Sequence, residues 1–166
     1  QMGARTVGRR YVALVARRVA DTRGVIDAPV GRSQRTPTKM AVTPSGRPAR
    51  TRYVVMDRFE RLFGRHGWVT RPASLLACTL ETGRTHQIRV HFAAIGHPVV
   101  GDDRYGVKGA PGISGVLEPG RLFLHAAELS IDHPVSGEKM TWTSPLPHDL
   151  RAVLETPRDE PTDATR

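Results

Sequence analysis

Leu76, Cys78 and Leu80 alternate with Ala77, Thr79 and Glu81, the period of two that marks a strand with one face in a core. Gly83 interrupts that rhythm. From His86 onward the period changes: Ile88, Phe92 and Ile95 fall at i, i+4 and i+7, one apolar stripe of an amphipathic helix. The pattern predicts a strand over 73–82 and a helix over 86–95. Thr85 is the expected N-cap, since its hydroxyl can accept from the free amides of the first turn. Gly96 and Pro98 are fitting stop signals.

The flanks read mostly as strands. Residues 9–19 carry Tyr11, Ala13 and Val15 on one face and Val12, Leu14 and Ala16 on the other, so this strand is expected in the middle of a sheet, covered on both sides. Residues 21–36 contain Gly24, Pro29 and Gly31 and read as a looping connection. A short strand is expected over 39–43 and a longer one over 51–59, followed by a hairpin turn at 63–68. After a Gly/Pro-rich loop over 107–120, strands are expected over 122–131 and 139–143 and a short helix over 149–154. The tail from Thr156 is polar and expected to be disordered. Many strands with few helices point to an α+β domain over 1–155, with a mostly antiparallel or mixed sheet.

Composition refines this picture. The 166 residues suffice for one domain with a real core. No apolar run reaches the roughly 20 residues needed to span a membrane. The single cysteine, Cys78, excludes an intrachain disulfide, which fits a reducing, cytoplasmic setting. The net charge of +9 is local: residues 1–56 hold 12 basic residues against Asp21 and Asp27. Between Asp27 and Asp57 there is no acid, while Arg32, Arg35, Lys39, Arg47, Arg50 and Arg52 all occur. A segment so one-signed suits a polyanion, with nucleic acid the leading partner. The plainer reading is a solvated basic face in an arginine-rich chain, since arginine outnumbers lysine 22 to 3.

Arg84, His86, Gln87 and Arg89 cluster at the start of the expected helix. That end presents unpaired amides and a positive dipole, so an anion site is one reading. Cations there disfavour the helix by itself, so a negative partner is expected. The alternative is structural, with Arg84 and Arg89 paired to Glu81, Asp102 or Asp103.

The run from Glu81 to His91, ETGRTHQIRVH, followed by Ile95-Gly96-His97-Pro98, Gly101-Asp102 and Tyr105-Gly106, resembles the signature of the RluA-type RNA pseudouridine synthases. The resemblance extends to about Leu150. Arg9-Arg10-Tyr11 resembles that family's tyrosine motif, with Arg9 in place of a lysine, and the glycine expected a few residues later appears as Arg17 or is shifted. By this resemblance the chain is the C-terminal part of a catalytic domain that isomerises uridine in RNA without cofactor or metal. Ribosomal RNA is the preferred substrate, with transfer RNA as another. Tyr11 would stack on the target uracil and Arg89 would pair with a catalytic aspartate. Ile88 would line the uracil pocket. Arg84, His86 and Gln87 would lie near the flipped nucleotide or support the pocket, with further RNA contacts expected from Arg10, Arg35 and Lys39. Asp102 would brace the site.

One part of the pattern is missing. The family's aspartate lies in a His-Arg-Leu-Asp stretch, and no such string occurs here; Arg61-Leu62-Phe63 and Arg121-Leu122-Phe123 lack the aspartate. The expectation is therefore a parent enzyme, with this chain alone unable to turn over. The competing expectation is a non-catalytic RNA-binding protein on the same scaffold, and a third is a small-anion module built on the helix end. A metal site is not expected from His86, His91 and His97, because no cysteine or carboxylate completes a ligand set.

Overall fold

The computed structural model describes residues 7–64, 67–69, 71–106 and 116–155. In chain order the strands are β1 (Gly8–Ala16), β2 (Arg23–Asp27), β3 (Val30–Arg32), β4 (Met40–Val42), β5 (Arg50–Phe59), β6 (Leu62–Gly64), β7 (Gly67–Val69) and β8 (Ala73–Leu80). Helix α1 (Gln87–Ala94), β9 (Leu124–Asp132), β10 (Lys139–Thr143) and α2 (His148–Leu154) follow. Six strands form one sheet in the order β10-β9-β1-β8-β5-β2, every neighbouring pair antiparallel. β3–β4 and β6–β7 are two small hairpins. The expected α+β class and mostly antiparallel sheet are what the structure has.

The alternation along β1 sorts the core into two layers. Ala13 and Val15 face α1, packing with Leu76, Cys78 and Leu80 of β8, Tyr53 of β5, and Ile88 and Phe92 of the helix. The rings of Tyr53 and Phe92 meet edge-on, 5.6 Å apart. On the other face Leu14 packs with Leu75, Phe123, and Leu150 and Val153 of α2. Both faces of β1 are therefore covered over 13–15, as its doubly apolar pattern requires.

Four expectations need correction. Residues 23–27 are not a loop but the edge strand β2, paired with β5. Gly24 suggested a turn, yet it serves close packing: a Cβ there would lie 2.6 Å from the Tyr53 hydroxyl oxygen. β1 stops at Ala16, short of 19, because Arg17 turns to φ 72°. That left-handed backbone is where glycine is at ease and an arginine is not. Ile95 does not join the helix stripe, because α1 ends at Ala94 and leaves Ile95 44% exposed. Thr85 does not cap α1; His86 holds the N-cap position, at φ 56°, with no side-chain cap. The expected strands over 51–59 and 139–143 and the stop at Gly96, with φ +83°, are as read, and the hairpin expected at 63–68 is the β6–β7 pair. The expected tail over 156–166 and most of the Gly/Pro loop lie outside the described residues.

Candidate functional site

The start of α1 is held by buried polar groups rather than by a cap. Gln87, 2% exposed, accepts at Oε1 from the Thr82 hydroxyl (2.8 Å) and the Arg84 amide (3.0 Å). Its Nε2 donates to the Arg50 carbonyl (3.0 Å) and to Thr51 Oγ1 (2.9 Å). Thr51 in turn meets His91 Nδ1 at 2.9 Å, and His91 Nε2 lies 2.9 Å from the Ala28 carbonyl. A carbonyl only accepts, so Nε2 carries the proton and Nδ1 accepts from Thr51. Burial lowers the His91 pKa, with opposing help to the cation from the Ala28 bond and Asp27. The chain of donors and acceptors is thus closed around a neutral imidazole, tying α1 to β5, β8 and the segment before β3.

Next to this scaffold sits the charged part. Arg89 donates from Nε to Asp102 Oδ2 (2.7 Å) and from Nη2 to Oδ1 (2.8 Å). Asp102 Oδ1 also accepts the amides of Arg104 (3.0 Å) and Tyr105 (2.9 Å), and its side chain is fully shielded. Burial by itself would raise the Asp102 pKa; the Arg89 bond and the two amides outweigh it and hold the carboxyl below its ordinary value. Asp102 is the negative partner that the crowded cations at the helix start called for. Among the described residues Arg89 Nη1 makes no hydrogen bond, so one edge of the guanidinium remains for another group.

Tyr105 joins the pieces. Its ring lies under the Arg89 guanidinium, 4.8 Å from centroid to carbon, with Arg104 at 5.9 Å. Its hydroxyl accepts the Met40 amide (3.2 Å) and sits 2.7 Å from His86 Nδ1. The contact suits either tautomer of His86: Nδ1 accepts the hydroxyl proton or donates to the second lone pair of the oxygen. Burial and the nearby Arg89 and Arg104 lower the His86 pKa, against a smaller opposing pull from Asp102. Lys39 Nζ donates to the Arg104 carbonyl (2.5 Å), and Arg104 donates back to the Thr38 carbonyl. The β3–β4 hairpin is thereby fastened to the 101–106 loop.

The residues singled out in the sequence sort as follows. Tyr11 is half-buried against the α1-side core that includes Ile88. Arg89, His86 and Lys39 converge around Tyr105. Arg35 is exposed in the turn of the β3–β4 hairpin. Arg84 reaches the Pro48 carbonyl (2.9 Å), not Glu81; Glu81 pairs with Arg50 and Arg52. Gln87 and Ile88 are interior: Gln87 is bonded within the scaffold and Ile88 is 4% exposed behind Tyr11. Arg10 lies apart from this group. It precedes Tyr11 by one residue, so the pleat sends it to the opposite face, where it pairs with Glu128 (3.3 Å). There it lines a hollow of about 300 Å³ with Arg52, Val54, Met56, Ala77 and Thr79. The hub role of Tyr105 and the His91–Thr51 link gave no periodic signal and were not anticipated.

Residues 1–94 match the family model described as RNA pseudouridylate synthase. This chain belongs to that family. It is 44% identical over 164 residues to a ribosomal large subunit pseudouridine synthase D of Nitrosomonas europaea, covering 97% of this chain and 44% of that protein. It is 46% identical over 159 residues to an uncharacterized RNA pseudouridine synthase of Chloroflexus aurantiacus, covering 96% of this chain and 45% of the relative. Among solved structures it resembles human RNA pseudouridylate synthase domain containing 1, with a TM-score of 0.69 and 32% identity, over 85% of this chain and 55% of that one. The chain therefore spans somewhat under half the length of these curated pseudouridine synthase relatives. Tyr11, Gln87, Ile88 and Arg89 fall within the residues matched by the family model, and Asp102 and Tyr105 lie beyond them.

Proposed function

We propose that this chain is the C-terminal part of the catalytic domain of a cytoplasmic RNA pseudouridine synthase acting on large-subunit ribosomal RNA. The observation that carries the reading is the Arg89 guanidinium at the start of α1, clamped by Asp102 and Tyr105, with Nη1 making no hydrogen bond among the described residues. A carboxylate in a base-binding pocket needs such a partner to stay ionised. Asp102 cannot itself be the nucleophile, since its lone pairs are committed to Arg89 and two amides. The nucleophilic aspartate is therefore assigned to the His-Arg-Leu-Asp segment of the longer protein.

The chemistry asked of this half is modest. The target base must leave the stack to be reached. Tyr11, on the face that α1 covers, offers a ring for the flipped uracil, an interaction worth about 1–3 kcal/mol. The isomerisation balances without an external reactant: the N1–C1′ bond breaks, C5–C1′ forms, C5 gives up its proton and N1 gains one. His86, beside Arg89 and Tyr105, brings an imidazole that can hydrogen-bond a phosphate or a base edge. Arg35 and the hairpin carry positive charge beside it, which supports a polyanionic substrate.

The test joins this chain to the segment bearing His-Arg-Leu-Asp and follows tritium release from RNA labelled at C5 of uridine. Release from large-subunit ribosomal RNA, lost in Arg89→Met, is the expected result. Release from transfer RNA alone would move the substrate. No release from either RNA would refute the enzyme reading in favour of an RNA-binding scaffold.

A further inference from the structure

Arg9, near the start of β1, is half-buried. Its Nε is shielded from solvent and has no hydrogen-bond partner among the described residues. The other arginines at this end of the sheet are answered. Arg10 pairs with Glu128, Arg52 with Glu81, and Arg50 with Asp27 and Glu81. Arg84 gives its Nε to the Pro48 carbonyl. A shielded donor left unmet is unfavourable, more so when its group carries charge. Arg9 therefore has a hydrogen bond to give and no group of the described fold to give it to.

Two neighbours fix where that bond can go. The guanidinium lies over Gly83: a Cβ added there would collide with Nη1 and come within 2.8 Å of Cζ and Nη2. The glycine that ends the alternation of β8 thus leaves the space that the arginine fork occupies. The second neighbour is Tyr11. Arg10 and Tyr11 pair with Thr79 and Cys78 of β8 without a shift, so the pleat is regular here and Arg9 points to the same face as Tyr11. Positions two apart in a strand lie about 6.6 Å apart, comparable with the span between a base and the phosphate of its own nucleotide.

We infer that Arg9 is a phosphate-binding residue of the substrate site: its guanidinium takes a phosphodiester next to the uridine whose base lies on Tyr11. This rests on the function proposed above. The planar fork suits two phosphate oxygens at once, and an anion there answers the charge that the chain leaves unpaired. Arg89 cannot serve in its place, because Nε and Nη2 are committed to Asp102. A phosphate held at Arg9 fixes the register of the strand and leaves the choice of base to the pocket.

The test is a cycle between protein and RNA. The 166-residue chain is titrated with a short single-stranded RNA holding one uridine. Two further RNAs carry a neutral methylphosphonate in place of the phosphate on the 5′ or the 3′ side of that uridine. The chain contains no His-Arg-Leu-Asp string, so binding is read without turnover. The wild type should lose at least about tenfold in affinity with one of the two replacements. Arg9→Met should lose as much with the natural RNA and then be indifferent to that replacement. Arg9→Lys keeps the charge and loses the fork; it should fall between the two, and it closes the cycle where the methionine variant does not fold. Three results would overturn the inference: no binding at about 1 mM RNA, a wild type indifferent to both replacements, or Arg9 variants as sensitive to them as the wild type. The last is the outcome expected if Arg9 answers a carboxylate instead. A cycle that holds, with no tritium release from the joined enzyme, would leave this inference standing and sink the function proposed above. Release without coupling at Arg9 would do the reverse.

Discussion

Arg89 and Asp102, thirteen residues apart, meet through two hydrogen bonds of 2.7 and 2.8 Å. Their side chains are 16% and 0% exposed. Removing one partner of so shielded a pair leaves an uncompensated charge. Asp102→Asn should cost about 3 kcal/mol in the denaturant midpoint. Arg89→Met combined with Asp102→Leu should recover much of it, because the isolated charge is then gone. A double-mutant cycle on the two sites reads the coupling directly.

The same pair sets an acid limb. A carboxyl whose folded pKa is lowered takes up its proton more readily in the unfolded chain. Its stabilisation is fully present above the unfolded value of about 3.9 and is lost as the pH falls through the depressed folded value. Urea melts from pH 5 downward should show this loss in the wild type and a smaller one in Asp102→Asn.

His86 and His91 act in the opposite part of the scale. Both have lowered folded pKa values, so the unfolded chain binds protons first. Their contribution is present above about pH 6.5 and falls as the pH drops below it. NMR titration of the imidazole Hε1 signals should give midpoints under 6.5 for both. Tyr105→Phe should shift the His86 midpoint while leaving that of His91 in place, since only His86 touches the Tyr105 hydroxyl. The same variant should cost about 1 kcal/mol for the unmet Met40 amide.

Arg17 offers a gain. Its side chain is exposed and its backbone stands at φ 72°, a conformation that costs a non-glycine residue about 1 kcal/mol. Arg17→Gly should raise the denaturant midpoint by roughly that amount, offset in part by the entropy of the unfolded glycine. Arg17→Ala should give no gain, because alanine keeps the Cβ that makes the turn unfavourable.

Much of the sheet was legible in the sequence because period-two alternation survives wherever one face is buried. β8 shows it over 76–80, where Leu76, Cys78 and Leu80 are buried and Thr79 is exposed, and the doubly apolar run of β1 correctly placed that strand in the middle. β2 was missed because five residues with a glycine among them carry too little pattern, and because Gly24 answers to the Tyr53 ring across the sheet, a contact that local sequence does not encode. The Arg89–Asp102 pair was readable as one of three options, since charge near a helix start demands a counter-charge. Which carboxylate supplied it depended on the fold of the 101–106 loop. Arg10 faces away from Tyr11, because adjacent strand positions point to opposite faces. Gln87 and Ile88 were singled out from their place in the motif, and the structure buries both beside the site.

Across the hairpin and the loop, Lys39 donates to the Arg104 carbonyl and Arg104 donates to the Thr38 carbonyl. A carbonyl holds a cation in place without cancelling it. Had these side chains been fixed by carboxylates, the ordering of the loop would have consumed the field they create. Instead two full positive charges stand at set positions beside the site. The counterions that gather over them are the ones an arriving phosphate backbone would displace, so the geometry of the loop and its attraction for a polyanion come from the same two side chains.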